Sequence, residues 1–141
     1  MSANGPSVVR GMSSAKLDAL VEIMFLAASA DGDFSEVERA HFFHSVEALT
    51  DGRLAGEALR ALLQQAKLDL EASGRTARLR AVKERLPEPG ARKVALSLAV
   101  EVSAADGIIR TSERDLILET ADILEIDRGV AADLVAQLSR P

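Results

Sequence analysis

The sequence predicts an all-α fold of about seven helices, and three observations carry that prediction. Apolar residues recur at helical spacing through most of the chain, and no segment alternates with the period of two that a strand needs. Aromatic residues make up only 3%, all of them Phe, which leaves a core of aliphatic side chains and alanine suited to closely packed helices. With 48% hydrophobic residues over 141 positions, the chain buries a core of single-domain size, and disorder as its main state is excluded.

Residues 1–13 are polar and broken by Gly5, Pro6 and Gly11, and read as a flexible tail lacking the long apolar stretch of a secretory leader. Residues 14–141 read as one helical domain. The first helix is expected from Ser14 to Ala30, where Leu17, Leu20, Val21, Met24 and Ala28 form one stripe and Ile23, Phe25 and Leu26 fill the other sides. A helix apolar nearly all round belongs at the centre of a fold, as does its counterpart from Pro89 to Ala105. Between them lie Ser35 to Leu49, with Phe42, Phe43, Val46 and Leu49, and Leu54 to Ser73, with Leu59, Leu62, Leu63, Ala66 and Leu70. A short helix from Thr76 to Arg85 has to stop before Pro87 and Pro89, because proline disfavours helical geometry in the residue preceding it. Thr111 to Leu124 and Asp127 to Ser139 complete the seven, the last opened by an aspartate in cap position.

Composition excludes several functions. Without cysteine there are no disulfides, thiolate metal sites or sulfur nucleophiles, which fits a reducing compartment and a cytoplasmic location. The longest apolar run, Ile23 to Ala28, is far below the roughly 20 residues that span a bilayer, so direct membrane insertion is not expected. The net charge of −5 is uneven. Seven cations against two acids make Arg75 to Lys93 a +5 segment and leave the remainder at −10. No aromatic residues interleave those cations and the remainder repels phosphate, so nucleic acid is not the expected partner; in the alternative reading as a metal-free adaptor, the segment recognises an acidic protein. No glycine-rich phosphate loop and no nucleophile with an orienting base occurs, and an enzyme is not expected.

The most informative pattern is an internal repeat. Ala30-Asp31-Gly32 returns as Ala105-Asp106-Gly107, an offset of 75 residues. The same offset places Phe34 on Ile109, Glu38 on Glu113, Phe42 on Ile117 and Leu49 on Leu124, and upstream Ile23 on Leu98. Each copy therefore reads as a buried helix, an acidic turn with one apolar plug, and a second helix with a glutamate in its first turn. The spacing matches the second half of a calcium loop, with aspartate, glycine, apolar residue and closing glutamate at positions five, six, eight and twelve. Positions one and three fall on Ala27 and Ser29 or on Val102 and Ala104, so neither loop is a complete EF-hand.

Paired Ala-Asp-Gly loops with a following glutamate, in a seven-helix chain of this length, resemble the TerB-like tellurite-resistance family. The resemblance runs from about Ala15 to the C-terminus. It implies an all-α protein of bacterial stress responses, with acidic loop residues that bind a divalent metal and with protein partners, in part at the membrane. The unit is also similar to the helical domain preceding a J domain in some membrane-linked co-chaperones, but the His-Pro-Asp tripeptide of J domains is absent.

Two readings of Asp31, Glu38, Asp106 and Glu113 stand side by side. As a candidate metal set they pool carboxylates from both loops, and oxygen-only donors favour calcium or magnesium. As caps they serve the backbone: Ser35 to Glu38 is an S-x-x-E capping box. In the second copy Arg110 replaces the cap serine while Glu113 persists, so for Glu113 the capping and the metal reading both stay open. Glu38, His41 and His44 form half of a di-iron pattern, but the second copy offers Leu116 where a histidine is needed, so these histidines are expected on the surface.

Overall fold

Two pairs of helix starts, Ser14 with Pro89 and Glu36 with Thr111, are 75 residues apart. The computed structural model describes residues 13–30, 35–104 and 109–138. Among them are seven helices: α1 (Ser14–Ala28), α2 (Glu36–Leu49), α3 (Gly56–Ser73), α4 (Arg75–Arg85), α5 (Pro89–Ser103), α6 (Thr111–Ile123) and α7 (Arg128–Leu138). No strand occurs among the described residues. The turn between α2 and α3 runs two residues longer than apolar spacing suggests. Thr50 Oγ1 donates to Val46 O (2.8 Å) and accepts from Leu54 N (3.2 Å), which holds Leu54 outside the next helix.

Helices α1 and α5 sit in the middle and pack chiefly on each other. Leu17, Leu20, Ile23 and Leu26 of α1 and Ala95, Leu96 and Val100 of α5 are buried, as a pattern apolar on several sides requires. Around them, α3 and α4 lie against α1, while α6 and α7 lie against α5. The outer helices show one apolar stripe each, Leu59, Leu63 and Ala66 on α3 and Leu116, Ile117 and Ala121 on α6. Full burial of one such leucine or isoleucine contributes about 1.5–3 kcal/mol, so the central pair dominates the hydrophobic term.

Helix ends are set locally. Ser13 Oγ accepts from Lys16 N at the start of α1, and Asp127 Oδ1 accepts from Gly129 N (2.6 Å) at the start of α7. Both α2 and α6 close in a Schellman turn. Gly52 N donates to Glu47 O and Ile126 N to Ala121 O, with Asp51 and Glu125 at positive φ (57° and 61°) where glycine is usual. Between α3 and α4 a glycine does occupy that position, Gly74 at φ 87°.

The buried row of α1 includes one charge: Glu22 is 4% exposed. Arg78 and Arg85 of α4 both donate to its carboxylate, which compensates the buried charge and ties α4 to α1.

Candidate functional site

The α1 C-terminal half, the first turns of α2, the C-terminal half of α5 and the start of α6 enclose a cavity of about 430 Å³. Its apolar wall is formed by Met24, Phe42, Leu98 and Val102. Glu38 and Glu113, the equivalent glutamates of the two copies, both line it, together with Glu101, Arg110 and His41. The topology is the reason. Because α1 and α5 pack on each other, the helices that follow them, α2 and α6, present their first turns at the same end of the central pair.

Both glutamates also serve their own helices. Glu38 Oε1 accepts from Ser35 N (2.9 Å) while Ser35 Oγ accepts from Glu38 N (3.2 Å), the reciprocal box legible in the sequence. Glu113 Oε1 accepts from Arg110 N (2.8 Å). This bond supports the capping reading of Glu113, one of the two the sequence leaves open. The returning half of a capping box needs only a backbone N–H at the N-cap, which arginine supplies as well as serine does. Glu38 is exposed, whereas Glu113 is 9% exposed.

Asp31 and Asp106 lie outside the described residues. Among the described residues no three acidic or histidine side chains come together as a metal ion would require. His41 and His44 are both exposed on α2, as expected, with His41 at the edge of the cavity. Ile109, the apolar plug of the second loop, packs against the buried cluster of Leu96, Val100 and Ile117.

Two residues of the cavity carried no advance signal. Glu101 aligns with Leu26 and Ser103 with Ala28 at the repeat offset, so neither is part of the duplicated pattern. Partial burial holds the Glu101 carboxyl above the ordinary glutamate range. Ser103 is 2% exposed and its hydroxyl has no hydrogen-bond partner among the described residues.

The basic segment from Arg75 to Lys93 is not a free cationic surface. Besides Arg78 and Arg85 on Glu22, Arg75 Nε pairs with Glu119 (2.8 Å) and Lys83 Nζ with Glu125 (2.9 Å). Arg92 Nε donates to Leu86 O (2.6 Å). Five of the seven cations are therefore turned onto the protein's own acceptors, and Arg80 and Lys93 remain exposed.

A family profile described as tellurite resistance protein TerB matches residues 17–134, most of the chain. The chain belongs to the TerB family. The match begins in the first turn of α1 and ends in α7, so it spans all seven helices and both acid-bearing turns. No curated protein and no solved structure matches the chain. Membership in the TerB family associates the domain with tellurite resistance. No helix among the described residues is long and apolar enough to cross a membrane.

Proposed function

We propose that this TerB domain is a non-enzymatic binding module of a bacterial metal-stress response, acting in the cytoplasm with protein partners. Its ligand is a divalent cation held at the acidic end of the cavity between the two copies. The supporting observation is that Glu38 and Glu113, 75 residues apart, line one cavity with Glu101 beside them. The donor chemistry fits a hard ion, because the acids offer oxygen and His41 is the single nitrogen ligand among the lining residues. Glu38, Glu113 and the loop residues Asp31 and Asp106 would hold calcium or magnesium, which supplies a fixed positive charge joining the two turns.

The capping bonds favour a second reading, a metal-free adaptor in which Glu38 and Glu113 only secure α2 and α6. Thermal unfolding with calcium, magnesium or manganese, compared with chelator, separates the two. Glu113→Gln keeps an acceptor oxygen for Arg110 N and removes the charge, so it tests the ion without removing the cap. A cation at about 100 times its Kd stabilises by roughly 2.7 kcal/mol, or about 5–10 °C for a domain of this size. A rise of that order in the parent chain, absent in Glu113→Gln, supports the cation site. Identical melting in all cations and in chelator sinks it and leaves the adaptor.

A further inference from the structure

We propose that the cavity between the two copies docks a basic, apolar segment of a partner protein. The proposal rests on the same cavity being the binding site and is independent of whether a metal ion binds there.

A metal ion accounts for the acidic end of the cavity and for nothing else in it. The volume of about 430 Å³ lies within the range of ligand pockets, about 300–1,000 Å³. The walls of Met24, Phe42, Leu98 and Val102 offer a body of apolar contact that no ion uses. Three carboxylates, Glu38, Glu101 and Glu113, face it against one cation, Arg110. Apolar wall and acidic end together match a lysine or arginine side chain, whose methylene stem lies along hydrocarbon while its head meets carboxylate.

Two further observations point to a ligand of polypeptide type. Ser103 lines the cavity, is 2% exposed and leaves its hydroxyl without a partner among the described residues. Buried polar groups are normally hydrogen-bonded, so this hydroxyl is available to an incoming backbone or side-chain group. Val37, at the same cavity, is 80% exposed on the first turn of α2. A peptide crossing the mouth covers it, and the apolar contact then continues from the cavity onto the surface.

The test is selection of a random twelve-residue peptide display library on the immobilised full chain, with chelator throughout, followed by Kd measurement on the enriched peptides. Enriched sequences should combine lysine or arginine with large apolar residues. Glu101→Lys and Val37→Ser should each weaken the best peptide at least tenfold. Ser103→Ala should weaken it without lowering the melting temperature. Lys67→Glu, in a separate groove against Phe25 and Phe43, should leave it unchanged. No enrichment, enrichment of acidic peptides, or affinity indifferent to both Glu101→Lys and Val37→Ser would overturn the proposal. Peptide binding in chelator with no cation effect on melting would sink the cation reading alone and leave this one standing.

Discussion

Glu22 on α1 and Arg78 on α4 form a two-point ion pair, Nε to Oε2 at 2.6 Å and Nη2 to Oε1 at 3.0 Å. Arg85, two turns further along α4, donates to the same Oε1. The carboxylate is buried while both guanidinium groups keep partial access to solvent, at 19% and 30% exposure. That asymmetry decides which side of the pair is costly to remove. A freed arginine can turn to water, whereas a freed Glu22 cannot.

Arg78→Ala is therefore expected to destabilise the domain more than its own exposure suggests, by about 2–3 kcal/mol, since it leaves Glu22 with one partner in place of two. Chemical denaturation measures this. The paired substitution Glu22→Met with Arg78→Met should recover most of the loss, because replacing a buried ion pair by hydrocarbon of similar volume is close to neutral. A double variant as weak as Arg78→Ala would contradict the burial argument.

Thr120 on α6 is fully buried, and its hydroxyl has no hydrogen-bond partner among the described residues. Thr120→Val keeps the branched shape and removes the orphaned group, whose burial costs about 1–3 kcal/mol. Melting should rise by several degrees. A fall would mean that the hydroxyl is satisfied in solution.

Burial raises the Glu101 carboxyl above the ordinary glutamate range, so its ionised form is disfavoured in the folded protein relative to the unfolded chain. The sign follows directly. The penalty is present in full above the folded-state value and disappears once pH falls below the unfolded-state value. Glu101→Gln should then melt above the parent near neutral pH, and the two should converge below about pH 4. Melting curves across that window decide it, and a constant gap at all pH values would remove desolvation as the cause.

Glu125 occupies the left-handed position that closes α6 while its carboxylate pairs with Lys83. The two effects oppose each other. Left-handed geometry is strained for a non-glycine residue, and an exposed ion pair contributes little because solvent screens it. Glu125→Gly should accordingly leave the melting temperature unchanged or slightly raised. A clear fall would assign the larger share to the ion pair.

The seven helices were legible because their signals are local. The stripe of Leu59, Leu63 and Ala66, the prolines after Arg85 and the aspartate before Arg128 each act within a few residues of one another. The start of α3 was misread because Thr50 and Leu54 form a side-chain turn that apolar spacing does not register. The burial of Glu22 was illegible for the opposite reason, since its partners lie 56 and 63 residues away along the chain. Of the candidate site, Glu38 and Glu113 were visible through the repeat. Glu101 and Ser103 break the repeat and join the cavity only because α5 turns that face toward α2. The cap at Glu113 stayed undecided in the sequence because Arg110 stands where the usual serine would mark it, although the bond is made by a backbone N–H.

The pairing of α1 with α5 also governs how the protein emerges from a ribosome. The apolar row of Leu20, Ile23 and Leu26 meets its main partner only when residues up to Ser103 have been synthesised. Until then the nascent chain carries α1 with its largest contact face uncovered, and 103 of these 141 residues are made before the core can close. Such a chain folds late and as a unit, and its early exposed surface is of the kind that chaperones shield during translation.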